Sequence, residues 1–98
     1  LTADLRLDAI PVYAGAETLA GQGVRSTIYP ANRAAVTAEV PDTPRGVLLF
    51  DPQTSGGLLA AVPEQTADGL LRELRDAGHD AHQIGQMQVR DGVSVRAR

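Results

Sequence analysis

Apolar positions recur along this chain with two different periods, and the change from one to the other divides it into elements. Over residues 3–12, Leu5 and Leu7 alternate with Arg6 and Asp8, which predicts a strand, and Pro11 limits pairing at its end. Residues 15–23 predict a short helix carrying Ala16, Leu19 and Ala20, closed by Gly21 or Gly23. Residues 24–32 show no clear period and read as an ordered connection that turns at Pro30. A second short helix or extended segment follows over 33–40, up to the breaker cluster Pro41-Asp42-Thr43-Pro44.

Two continuous apolar runs of strand length come next: 46–50, the pattern of a strand buried on both faces, and 58–62, a second buried strand. Joined by a glycine-containing loop, they read as adjacent strands. Ala67, Leu70, Leu71, Leu74 and Ala77 then form one stripe of a helix beginning after Pro63. Pro63 suits its first position, Glu64 the positive end of its dipole and Gly78 its exit. Asp68 with Arg72, and Arg72 with Asp76, are i,i+4 pairs on its polar side. Gly69 costs this helix about 1 kcal/mol relative to Ala, which points to close packing there. Met87 and Val89, then Asp91-Gly92, then Val93 and Val95, predict a β-hairpin. The order of elements gives an α/β or α+β layered domain, neither a bundle nor a barrel.

Composition narrows the chemistry. With 43% hydrophobic residues and 21% charged, the 98 residues suit one soluble domain. No apolar run reaches the ~20 residues of a membrane-spanning helix. There is no cysteine, so disulfides, thiolate metal sites and cysteine nucleophiles are excluded. All nine basic residues are Arg, which excludes a P-loop lysine or a Schiff base within these residues. A net charge of -3 and three aromatic residues argue against nucleic acid as a partner. The chain begins at Leu1 without an initiator Met or a leader, so we expect a piece of something larger. Such a piece would leave an apolar face for a partner to close.

The most informative segment runs Leu49-Phe50-Asp51-Pro52-Gln53-Thr54-Ser55-Gly56-Gly57-Leu58-Leu59. A double glycine permits positive φ and close approach of a ligand. Successive N–H groups over 54–57, with the hydroxyls of Thr54 and Ser55, could form an anion-binding nest. A plain strand-to-strand turn, with Asp51 capping local amides and Thr54 and Ser55 making side-chain turns, explains the same residues.

Within this segment, Asp51-Pro52-Gln53-Thr54-Ser55-Gly56-Gly57-Leu58-Leu59 resembles the C-terminal signature of the selenophosphate synthetase (selenide, water dikinase) family. Upstream, Ala9-Ile10-Pro11-Val12, Gly15-Ala16 and Gly21-Gln22-Gly23-Val24 are similar to the family's apolar-Pro strand and Gly-Ala helix. Downstream, the helix ending at Gly78 and Ala81-His82-Gln83-Ile84-Gly85 are similar to its closing helix and Ile-Gly strand. The resemblance implies a single partial C-terminal domain over residues 1–98, layered like that of the aminoimidazole ribonucleotide synthetase superfamily and partly ferredoxin-like. It implies a cytoplasmic, homodimeric parent that converts ATP, selenide and water into selenophosphate, AMP and phosphate. ATP and Mg2+ would be bound mainly by an N-terminal domain carrying a glycine-rich loop, Lys, metal-binding Asp residues and Cys or selenocysteine. These 98 residues would then hold no catalytic residue and no metal, and be inactive alone. Gln53, Thr54, Ser55, Gly56 and Gly57 would face the cleft between domains and hold phosphate or product, with Asp51, Pro52, Asn32 and Arg33 as structural motif. The family's Pro-Gly-Gly-Thr stretch is missing before Asn32-Arg33, where this chain reads Arg25-Ser26-Thr27-Ile28-Tyr29-Pro30-Ala31. The resemblance therefore carries no ligand contact over to that loop.

Other residues invite weaker readings. His79, Asp80 and His82 include metal-ligand types, but two histidines lack a third well-placed ligand and suit a helix end equally well. Ser55 as nucleophile lacks a Gly-x-Ser-x-Gly setting. Arg25 and Arg33 could grip phosphate bidentately, although structural or solvated arginines are the commoner case. The stripe through Leu70, Leu71 and Leu74 reads as core. A different class also fits the chain: a ferredoxin-like, non-enzymatic interaction or small-molecule-binding module that keeps the turn only as structure.

Overall fold

The computed structural model describes every residue except Asp91. Strand β1 (Thr2–Leu5) leads into a 3-10 turn at Leu7–Ala9. Helices α1 (Ala16–Gly21) and α2 (Tyr29–Ala34) follow, then the short strand β2 (Ala38–Glu39) and helix α3 (Pro44–Leu48). Helix α4 (Glu64–Asp76), β3 (Gly85–Gln88) and β4 (Val95–Ala97) complete the chain. The four strands make one mixed sheet in the order β2-β4-β1-β3. The fold is α+β.

The N-terminal strand is the centre of this sheet. β1 pairs antiparallel with β3, Thr2 opposite Gln88 and Leu5 opposite Gly85, and parallel with β4, Ala3 opposite Val95. The two tail strands are therefore not a hairpin, since β1 lies between them. Residue Asp91 of the predicted turn lies outside the described residues; its neighbour Gly92 has φ +71°. Between two neighbours, Thr2 and Asp4 are buried and satisfied. The Thr2 hydroxyl donates to the Val93 carbonyl at 2.6 Å. Asp4 Oδ2 accepts from Arg98 Nη2 at 2.6 Å and Gln88 Nε2 at 3.1 Å. Gly85 is needed opposite Leu5, because a Cβ there would lie 2.2 Å from the Asp4 carbonyl oxygen.

Three further segments differ from the sequence-based expectation. The strand predicted over 3–12 stops at Leu5, and the chain curls into the 3-10 turn before Pro11. The predicted connection over 24–32 instead enters α2, with Pro30 in its first turn, where a missing N–H costs nothing. The apolar run 46–50, expected as a strand, is largely helix α3. Thr43 caps it, its hydroxyl accepting from the Gly46 N–H at 3.2 Å, and Pro44 begins its first turn. A Cβ at Gly46 would lie 2.1 Å from the Pro41 carbonyl oxygen, so the cap closes only around glycine. α3 packs on α1, with Ala20 and Val47 buried. Arg45 ties both to the 3-10 turn, donating to Glu17 Oε1 and the Leu7 carbonyl, each at 3.0 Å.

The two best-marked helices end as expected. After α1 and α4, Gly23 and Gly78 take φ +85° and +89°. The N–H groups of Gly23 and Val24 donate back to Ala20 and Leu19, and those of Gly78 and His79 to Arg75 and Leu74. Both are Schellman exits. At its start, Pro63 is the N-cap of α4, one place before the position expected. The stripe of α4 does not form core: no residue of this helix is buried. Nor does anything pack close to Gly69. The run 58–62 forms no strand and is exposed throughout, so the expected pair of adjacent strands is absent.

Candidate functional site

The signature segment leaves α3 at Phe50, and Phe50 is where it is gripped. Its ring is buried, packed edge-on by Tyr29 at 6.2 Å between centroids and covered by the Arg33 guanidinium at 4.7 Å. Its carbonyl accepts from Asn32 Nδ2 at 3.0 Å. Arg25 sits 5.4 Å from the centre of the Tyr29 ring while donating to the carbonyls of Ala20 and Val24. Asn32 and Arg33 thus hold the start of the signature from a separate helix, α2. Both arginines between 25 and 33 are engaged in packing aromatic rings, with Arg25 also bound to carbonyls.

Beyond Phe50 the chain becomes an exposed polar loop. The Asp51 N–H still donates to Leu48, and its carboxylate accepts from Gln53 Nε2 at 3.3 Å. Gln53, Thr54, Ser55, Gly56 and Gly57 are all exposed. A Cβ at Gly56 would touch the Gln53 side chain at 3.1 Å, whereas nothing lies within 4 Å of one at Gly57. Neither glycine adopts positive φ. The loop connects a helix to an unpaired segment, so it is not a strand-to-strand turn. Thr54 and Ser55 make no side-chain turn: their hydroxyls have no partner among the described residues. The loop therefore presents an amide, two hydroxyls and free backbone N–H groups to whatever adjoins it.

The other candidates lie elsewhere. His82 Nε2 is 2.7 Å from Asp80 Oδ1, and His79 uses its backbone N–H in the exit of α4. Among the described residues no three His, Asp or Glu side chains gather as a metal site. Sequence reasoning did not single out the open cleft of about 560 Å³ between the 3-10 turn and the end of α4. Arg6, Arg45, Arg75 and His82 line it together with Asp8. Each arginine already donates to a carbonyl, Arg6 to Gln83, Arg45 to Leu7 and Arg75 to Ala81. The three arginines stand 30 or more residues apart in sequence, which gives no local signal.

The fold and its anchored segment define a small α+β domain with a presented polar loop. No protein-family model matches the chain. It is 38% identical over 89 residues to the selenide, water dikinase of Geobacter metallireducens, covering 87% of this chain and 26% of that protein. For the selenide, water dikinase of Rhizobium meliloti the identity is 42% over 85 residues, 81% of this chain and 24% of the relative. For that of Agathobacter rectalis it is 35% over 101 aligned positions, 97% and 29% respectively. Over most of its length the chain is similar to selenide, water dikinases, and it spans about a quarter of the length of the curated relatives it matches. No helix is long and apolar enough to cross a membrane among the described residues.

Proposed function

We propose that these residues are the C-terminal domain, in part, of an ATP-dependent selenide, water dikinase. The parent protein would convert ATP, selenide and water into selenophosphate, AMP and phosphate in the cytoplasm, as a homodimer. The observation that carries this reading is the identity of 35–42% to proteins named for that reaction, extending over most of the chain. Phosphoryl transfer depends on positioning and charge neutralisation. These residues contain no lysine, and no three carboxylates gather among the described residues, which supports assigning the binding of ATP with Mg2+ elsewhere in the parent. That task falls to the N-terminal domain of the same polypeptide, and the 98 residues alone are inactive.

The part left for this chain is the loop 53–57. Its polar groups are exposed, its hydroxyls are unpartnered, and its start is fixed through Asn32 and Arg33. Facing the inter-domain cleft, the Thr54 and Ser55 hydroxyls and the neighbouring N–H groups would donate to phosphate or product oxygens. Gly57 gives a clean test, because a side chain there meets nothing inside the chain. Phosphorus NMR of the complete polypeptide with ATP, magnesium and selenide should show selenophosphate and AMP. Gly57→Val should lower kcat/KM about 10-fold or more, the scale of one or two lost hydrogen bonds to a charged group, with Tm unchanged. Full activity in that variant would refute the ligand role of the loop. Intact ATP from a folded, reduced wild type would refute the dikinase assignment.

A further inference from the structure

Three of the nine arginines line one open cleft of about 560 Å³, in a chain whose net charge is -3. Arg45 is paired with Glu17 at 3.0 Å, whereas Arg6 and Arg75 are exposed and have no carboxylate partner among the described residues. Arg6 directly follows β1 and Arg75 stands in the last turn of α4, yet one short segment holds both heads. Arg6 Nη2 donates to the Gln83 carbonyl at 2.8 Å and Arg75 Nε to the Ala81 carbonyl at 3.0 Å. Those carbonyls are two residues apart, no more than about 7 Å of chain. The segment is itself fixed, because Gly78 turns the chain back after α4 and the Arg6 N–H donates to the Ile84 carbonyl at 2.8 Å. A carbonyl orients a guanidinium without neutralising its charge. Nη1 and Nη2 of Arg75, and Nε and Nη1 of Arg6, have no acceptor among the described residues.

We infer that this cleft is an anion site whose ligand is a small phosphomonoester, its oxygens held by Arg6 and Arg75. Two guanidinium forks on one short segment match a dianion with three free oxygens, through charge-assisted bonds about twice as strong as neutral ones. A carboxylate, with two oxygens and one charge, would satisfy only one of the two arginines. The organic part of the ligand has its own surface, because Ile10, Pro11 and Val12 also line the cleft, Ile10 and Val12 half-buried. The volume lies within the range of small-molecule sites and exceeds what a bare phosphate needs. Asp8 lines the cleft too, with no cation partner among the described residues. It weakens the attraction for an anion without cancelling it, since two unpaired guanidinium groups outnumber one carboxylate. A last-turn arginine such as Arg75 suits the dipole of its helix by itself. Arg6 belongs to no helix, and it is held by the same segment at the same cleft. No residue of the loop 53–57 takes part in this lining, so the site is separate from the one proposed above.

This inference does not rest on the dikinase reading. Isothermal titration of the complete polypeptide at low salt, with phenyl phosphate and with inorganic phosphate, tests it. Phenyl phosphate should bind about 5-fold or more tightly than inorganic phosphate, because its ring covers the apolar part of the lining. Joint replacement Arg6→Gln and Arg75→Gln keeps an amide N–H for the Gln83 and Ala81 carbonyls, so the melting temperature should hold. Affinity for phenyl phosphate should nevertheless fall about 30-fold or more, the scale of lost hydrogen bonds to a charged group. Asp8→Asn removes the one opposing charge and should tighten binding about 3-fold, an effect that shrinks as salt is added. Unchanged binding in the double variant would overturn the inference. Equal affinities for the two probes would overturn the phosphomonoester and leave a plain oxyanion. Should the double variant fail to fold, Asp8→Asn decides, since binding no tighter than wild type would refute an anion site. Selenophosphate production with unchanged binding in the double variant would sink the cleft alone. Loss of binding in a parent that makes no selenophosphate would sink the dikinase assignment alone.

Discussion

Asp4 shows how much a single side chain can organise in a thin sheet. It is buried in the central strand, yet the partner closing its charge, Arg98, is 70% exposed. Replacing Asp4 with Ala removes the acceptor for both Arg98 and Gln88, from β4's end and from β3. Arg98 can return to water, so the cost falls at about 1–3 kcal/mol rather than at the level of a fully buried pair. Urea denaturation of the variant should show that loss. Glycines give a sharper contrast, because the structure separates those that need no side chain from those that merely lack one. Gly85→Ala would drive a methyl group into the Asp4 carbonyl and the Leu5 Cα, 2.9 Å away. It should destabilise by about 2–4 kcal/mol, whereas Gly57→Ala should stay within about 0.5 kcal/mol. Equal midpoints for the two variants would mean that the β1–β3 register is not as described.

At the scale of elements, what could be read from the sequence depended on whether the signal was local. α1 and α4 were legible because stripe and terminal glycine agree within one element, down to Gly23 and Gly78. α3 was not, since Val47, Leu48, Leu49 and Phe50 show no period and a short apolar run fits helix or strand. The deciding residues, Thr43 and Pro44, lie just outside the run, in a cluster whose composition marks only a break. Thr43→Ala should therefore cost about 1 kcal/mol, and Thr43→Ser should restore most of it, in matched thermal melts. The tail failed for a different reason. β3 and β4 carry a correct hairpin pattern, but β1, 80 residues earlier in sequence, takes the place between them. α4 allows one stabilising change: Gly69 lies in open space inside the helix, so Gly69→Ala should add about 0.5–1 kcal/mol to the isolated chain. The candidate loop was legible as composition only. Its anchoring by Asn32 and Arg33 reaches Phe50 across 18 and 17 residues and needed the fold to be seen.

For the whole molecule, stability should be uneven in a way that follows the sheet. The buried residues Thr2, Asp4, Leu7, Ala20, Gly46, Val47, Phe50, Val93 and Ala97 belong to or flank the strands, α1 and α3. Between Phe50 and α4 there is no buried side chain, and from Gln53 to Val62 none of the described residues hydrogen-bonds the backbone. A radius of gyration of 14.5 Å, against about 12.6 Å for a compact chain of this length, reflects the same uneven packing. A protease needs an extended stretch free of hydrogen bonds, and such stretches open at almost no cost while the sheet opens only near global unfolding. Chymotrypsin at low ratio should cut first after Leu58 or Leu59, before any bond at Leu5, Leu7 or Phe50. Mass spectrometry should find two fragments meeting at that point while the far-UV signal of the remainder persists. First cuts at Leu5 or Phe50 would instead mean that the sheet and its α1–α3 layer are no more stable than the loop. The unequal stability arises because one part of the chain has closed its core and the other has not.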